Sequence, residues 1–168
     1  LEARALLAAA HRDGRDIGVA GYSMGANTAA LVSATVPFAV ATTPMAASHS
    51  PSPVFLDGVL RHGIAFDALG GEDRADELRS VLGRVSVLDY EPLPHHESAI
   101  VVGARSDAYI PAEATEALAT HWAGSDLRWL PGGHATLIWY RKAQLAAIIE
   151  ESFDRLSAND RQSSDAAG

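Results

Sequence analysis

The sequence predicts an α/β fold with a parallel sheet flanked by helices, and three observations carry that prediction. Short apolar segments at residues 17–20, 38–42, 99–103 and 127–130 read as strands, and they alternate with stretches of helical character. Residues 17–56 contain no Asp, Glu, Lys or Arg, which is the mark of chain buried on both sides, as in a sheet covered by helices. Right-handed crossovers between parallel strands then put those helices on the two faces.

The elements follow in order. Residues 1–11 are rich in Ala and Leu and predict the end of a helix, stopped near Gly14. After the first strand, Gly21 and Gly25 bracket a turn. Residues 26–35 are nearly all small and predict a helix able to lie close to a sheet. Pro37, Pro44, Pro51 and Pro53 interrupt the uncharged stretch, so it is no transmembrane helix. Charges return from Asp57 to Glu97. Within that segment Leu78, Val81, Leu82 and Val85 recur at helical spacing over residues 73–88, opposite Glu77, Arg79 and Arg84. The third strand precedes a helix that Pro111 can start. Leu145, Ile148, Ile149, Phe153 and Leu156 form the apolar stripe of a closing amphipathic helix. Residues 157–168 carry too little apolar surface to offset their ordering entropy, which predicts a disordered tail.

Composition bounds the function. The chain has 168 residues, 48% hydrophobic and 20% charged, which suits one globular domain. Twenty-one acidic against thirteen basic residues give a formal charge of −8. That balance opposes phosphate neutralisation, so nucleic acid is not an expected partner. With no cysteine, thiol nucleophiles, disulfides and thiolate metal sites are excluded. The compartment stays open, with the cytoplasm as the default, and so does membrane association. The chain begins at Leu1 rather than Met, which predicts a fragment of a longer protein.

Gly21-Tyr22-Ser23-Met24-Gly25 is a G-x-S-x-G between a predicted strand and a predicted helix. A serine on so sharp a turn sits in strained backbone with its hydroxyl exposed, and glycines two before and two after relieve the crowding. The turn also aims the helix N-terminus and the Met24 N–H at the serine. A serine nucleophile needs a base and an acid that orients the base. The base is His134, Lys142 or another of the seven histidines; His134 follows a strand in the loop Leu-Pro-Gly-Gly-His. His95-His96-Glu97 has the look of a metal cluster, but adjacent histidines on extended chain point to opposite faces, and no metal site is expected. Asp107 lies just beyond the third strand, whereas Asp126 precedes the fourth, at the opposite end of a parallel sheet, and Asp89 falls in the polar middle segment. Ser23, Asp107 and His134 all follow the C-terminal ends of strands, where open α/β sheets place their sites.

With these residues the chain resembles the C-terminal half of an α/β hydrolase, and their order of Ser, Asp, His is the one expected there. More narrowly it is similar to the family of α/β-hydrolase-domain-containing protein eighteen. The similar stretches are Gly-Tyr-Ser-Met-Gly at 21–25, Gly-Val-Leu-Arg-His-Gly-Ile-Ala-Phe at 58–66, Asp-Ala-Tyr-Ile-Pro at 107–111, and Gly-Gly-His at 132–134 before an aromatic-rich helix. The resemblance implies a partial α/β-hydrolase domain over residues 1–156, its N-terminal strands missing, with a cap-like insertion at 51–97. It implies Ser23 as nucleophile, Asp107 as acid and His134 as base, with the Met24 N–H in the oxyanion hole. Ala26 departs from the family, which has a third glycine there.

The expected activity is that of a serine hydrolase acting on a small-molecule carboxylic ester, lipid-like if Val54, Phe55, Leu56, Val59, Leu60, Ile64 and Phe66 line an acyl pocket rather than pack the insertion onto the sheet. Thioesters and peptides remain open as substrates. No cofactor is implied. With one oxyanion donor absent, the isolated chain is expected to be a poor catalyst. The alternative is a non-catalytic module of the same fold that binds a ligand or a protein. An unpaired sheet edge also predicts self-association.

Overall fold

The computed structural model describes residues 2–13, 15–93 and 96–166. Four short strands make one parallel sheet in sequential order: β1 (Gly18–Tyr22), β2 (Ala41–Met45), β3 (Ile100–Ala104) and β4 (Asp126–Leu130). β1 pairs with β2 from Gly18↔Ala41 to Tyr22↔Met45, and β3 with β4 from Ile100↔Asp126 to Ala104↔Leu130. β2 and β3 meet at Met45↔Val102. Pro44 explains the thin ladder between them. The amide two residues on, Ala46 N–H, donates to Val102 O at 2.8 Å, so position 44 faces the same neighbour and has no N–H to give.

The helices cover both faces. α2 (Met24–Ser33) and α6 (Ala112–His121) pack on one, where Ala26 and Ala30 meet Val101, Leu118 and Trp122. α2 approaches closely because its buried side presents little more than Cβ atoms. α7 (His134–Tyr140) and α8 (Lys142–Ala166) cover the other face, where Ile100, Val102 and Ala104 meet Leu130, Leu137, Leu145 and Ile148. β3 thus sends alternate side chains into two cores, as a central strand must. Thr42 is fully buried in β2 and is satisfied by Ser33 Oγ at 2.9 Å and Val40 O at 3.0 Å. Thr115 Oγ1 donates to Ala47 O at 2.7 Å. Thr42 and Thr115 can be buried because each finds a backbone or hydroxyl partner; Ser50 Oγ, also buried, has none among the described residues.

Three expectations need correction. β2 starts at Ala41 rather than at residue 38, because Phe38 stacks on His11 at 4.1 Å and packs beneath α1 (Glu2–Arg12) with Ile17, Val36 and Val40. The expected stop of that helix, Gly14, lies outside the described residues. Between β2 and β3 run α3 (Pro51–Leu56), α4 (Phe66–Leu69) and α5 (Ala75–Gly83), joined by 3-10 turns. α5 is shorter than its periodicity predicts and leaves Val81 and Val85 exposed. The tail expected to be disordered is helical through Ala166. Two contacts tie it down: Ser157 Oγ bonds Asp16 Oδ2 at 2.8 Å, and Asn159 Nδ2 donates to Glu97 Oε1 at 3.2 Å. Residues 167–168 lie outside the described part.

Among the described residues no helix is long and apolar enough to cross a membrane. α8 is locked to β4 by an ion-pair network. Arg128 binds Asp126 Oδ2 at 2.7 Å and Glu151 Oε1 at 2.6 Å, and Arg155 repeats both contacts. The Arg128 hydrogen bond holds Glu151 down to about 2 from 4.5. At Asp126 burial pushes the other way, and the two arginines outweigh it, leaving its carboxyl below the usual range. Depressed carboxylates contribute stability above their unfolded pKa and lose it as pH falls through the folded one. Arg128→Gln should therefore cost about 1 kcal/mol at neutral pH, solvent screening keeping a part-exposed network small. The gap to the wild type should close between pH 4.5 and pH 2, as read by urea midpoints at each pH.

Candidate active site

The site lies at the C-terminal ends of the strands. β1 turns into α2 at Ser23, whose backbone sits at φ 57°, ψ −121°, a region that costs a non-glycine residue about 1–3 kcal/mol. The surroundings hold it there. Ser23 N–H donates to Met45 O at 2.9 Å, and Ser23 O accepts from Ala26 N–H at 2.9 Å and Asn27 N–H at 3.3 Å. The first turn of α2 passes directly over Gly21, where a Cβ would fall 2.0 Å from the Gly25 carbonyl oxygen. At Gly25 a Cβ would meet nothing within 4 Å, so the expectation that both glycines relieve crowding holds for Gly21 only. Ala26 is fully buried in the core, so the turn accommodates this departure from a third glycine.

The other two side chains reach Ser23 from neighbouring loops. Asp107 follows β3 and its side chain is 5% exposed. Its Oδ1 accepts from Tyr109 N–H at 2.9 Å and Ile110 N–H at 3.0 Å, leaving Oδ2 free to face His134 Nδ1 at 2.8 Å. His134 Nε2 lies 2.8 Å from Ser23 Oγ. Both contacts are met when Nδ1 carries the proton and Nε2 accepts from the serine. His134 is the first residue of α7 rather than part of a free loop, and Gly132 at φ 132° makes the bend into it. The loops after β3 and β4 are cross-tied: Arg105 N–H donates to Leu130 O at 2.9 Å and Ser106 N–H to Gly132 O at 3.0 Å.

Two aromatic residues that the sequence did not single out flank the imidazole. Tyr109 lies 4.8 Å away ring to ring and Tyr22 5.7 Å. The Tyr22 hydroxyl donates to His134 O. Burial first, then the negative charge of Asp107, push this phenol up to about 12, so it remains a donor. The signal available in sequence was only its place beside Ser23. Met24 opens α2, where first-turn N–H groups have no intrahelical acceptor. A cavity of about 180 Å³ opens beside Ser23, lined by Met24, Asn27, Val54, Phe55, Leu60 and Ile110 among others. Of the residues considered for an acyl pocket, Val54, Phe55 and Leu60 line it, whereas Leu56 and Phe66 are buried in packing and Val59 is exposed.

The remaining candidates stay apart. Asp126 belongs to the network at the start of β4. Lys142 lies over the Trp139 ring, His49 contacts Ser86, His121 contacts Tyr90, and His96 bonds Leu93 O. His95 lies outside the described residues. Among those described, no group of three or more His, Asp or Glu is placed to hold a metal ion.

A parallel sheet with helices on both faces, and a serine on the sharp turn after a strand, define the α/β-hydrolase fold class. Within it the chain belongs to the family described as alpha/beta hydrolase domain containing 18, whose model matches residues 1–88 and 72–155. Among solved structures it is similar to Est1E from Butyrivibrio proteoclasticus, at 19% identity and a TM-score of 0.62 over 90% of this chain and 68% of that one. MGS-MChE2, an alpha/beta hydrolase enzyme from a lagoon-sediment metagenome, matches at 18% identity and 0.56 over 91% and 68%. The enol-lactonase from Burkholderia xenovorans matches at 15% and 0.53 over 87% and 69%. At such identities these likenesses establish the fold.

The turn makes a sharp prediction. Gly21→Ala drives a methyl into the backbone of α2 and should cost about 1–3 kcal/mol or more. Gly25→Ala should change stability by less than about 1 kcal/mol. Denaturant unfolding of the two variants beside the wild type checks both.

Proposed function

We propose that the protein is a serine hydrolase that cleaves carboxylic esters through an acyl-enzyme on Ser23. The observation that carries this reading is the pair of 2.8 Å contacts placing His134 between Ser23 Oγ and Asp107 Oδ2. Such a line moves one proton where it is needed. Ser23 Oγ attacks the ester carbonyl while His134 Nε2 takes the hydroxyl proton, and the carbonyl oxygen becomes an oxyanion facing the Met24 N–H. Collapse breaks the bond to the alkoxy oxygen, and His134 returns the proton to the departing alcohol. Water then adds to the acyl-serine by the same route, releasing the acid and regenerating Ser23. Asp107 stays ionised throughout; it holds the imidazole in one tautomer and offsets the imidazolium charge.

The walls of the cavity favour an apolar acyl group. Val54, Phe55, Leu60 and Ile110 face a space that begins at Ser23, so a chain esterified to Oγ leaves water as it enters. Its modest volume favours a short acyl chain, or the first part of a longer one.

Turnover of an aryl ester by the intact protein tests the reading. His134→Ala should lower kcat by on the order of 10⁶-fold, and Asp107→Asn by about 10⁴-fold, because the amide presents the wrong partner to Nδ1–H. Retention of most of the turnover in folded His134→Ala would refute the assignment and turn attention to a binding role for the cavity.

A further inference from the structure

We infer that Tyr22 is the positioning residue of the site: its hydroxyl fixes the backbone of His134, and so sets the reach of the imidazole to the serine next to it in sequence. The inference rests on the reading of Ser23 and His134 as nucleophile and base. Tyr22 ends β1 and Ser23 follows it directly, so the backbone that presents the nucleophile also carries the phenol. That phenol donates to His134 O, 112 residues further along the chain. The Ile138 N–H in turn acts on the Tyr22 hydroxyl oxygen.

The opening i→i+4 bond of α7 runs from Leu137 N–H to Gly133 O at 3.0 Å. His134 O and Ile138 N–H lie one residue further along, and the Tyr22 hydroxyl sits against both. It therefore engages the helix at the turn that carries the imidazole. The need for a clamp is local. α7 spans only His134–Tyr140 and follows two glycines, Gly132 and Gly133. Ser106 N–H to Gly132 O and Gly133 N–H to Thr136 Oγ1 hold those glycines, and the Tyr22 bond is made to the carbonyl of His134 itself. Asp107 holds the imidazole edge through Nδ1 but not the backbone beneath it. Tyr22 supplies that second point, and its ring 5.7 Å from the imidazole limits sideways swing. It does not line the cavity beside Ser23, so its loss should act on the rate and not on substrate binding.

The phenol must stay protonated to do this, because a phenolate cannot donate to a carbonyl. That requirement separates clamping from mere packing. Tyr22→Phe keeps the ring and removes the donor. Its kcat on an aryl ester should fall about 10- to 100-fold with KM within about twofold, since a misplacement of about 1 Å costs as much as 10²-fold. A second measurement needs no turnover: the low-field NMR signal of the His134 Nδ1 proton should be sharp in the wild type and broadened by solvent exchange in Tyr22→Phe. If Tyr22→Phe folds poorly, 3,5-difluorotyrosine at position 22 keeps the ring and the hydroxyl while lowering its pKa. That protein should lose the sharp signal, and its turnover, reversibly at an alkaline pH where the wild type keeps both. An unchanged Nδ1 signal in the folded variants would overturn the inference. So would a kcat within twofold of a wild type that turns over the ester. If the wild type itself turns over no ester, the hydrolase reading fails, and the NMR comparison still decides whether Tyr22 holds His134.

Discussion

The contact on which the site depends is the passage of the first turn of α2 across Gly21. A Cβ there would lie 2.0 Å from the Gly25 carbonyl oxygen, so the chain reverses from strand to helix in less space than any side chain allows. That reversal forces Ser23 to φ 57° and lifts its hydroxyl clear of the sheet. The strain is held by hydrogen bonds rather than by side-chain packing: Met45 O takes the Ser23 N–H, and the amides of α2 take the Ser23 carbonyl. Met45 lies on β2, so the neighbouring strand and the turn stabilise each other. The small residues of α2 belong to the same solution, because Ala26 and Ala30 bring the helix close enough to cap the sheet.

The second constraint is that three loops must meet over one strand end. Their meeting depends on the parallel register, which aligns Ala104 with Leu130 at the ends of β3 and β4. Beyond that pair the loops continue to bond each other through Arg105 and Ser106 before Asp107 and His134 are reached. Asp107 is further restrained by donating amides from its own turn. The carboxylate is thus held by its own turn independently of the histidine, and the histidine has one orientation that meets both neighbours.

Much of this was legible in the sequence, and the reasons are physical. The uncharged run of residues 17–56 announced burial on two sides, and β2 is buried along its whole length. Ser23, Asp107 and His134 were separated from other candidates by their positions after strands, and the structure brings these three into hydrogen-bonding contact. What failed to show was whatever depends on contacts between distant segments. Phe38 has the composition of a strand residue, but it stacks on the His11 ring and packs against Ile17, Val36 and Val40 instead. Residues 157–166 lack apolar periodicity, and their helix is held by polar contacts to Asp16 and Glu97 that no local pattern encodes. Nothing local marks Tyr22, because its partner is more than a hundred residues away.

The central claim is that Ser23 is an activated nucleophile and not merely an exposed hydroxyl on a strained turn. Fluorophosphonate labelling of the intact protein, read by intact mass beside Ser23→Ala, tests it most directly. The account predicts a single adduct on the wild type and none on the variant. A folded wild type that takes no adduct, or a Ser23→Ala protein that takes the same one, would contradict it.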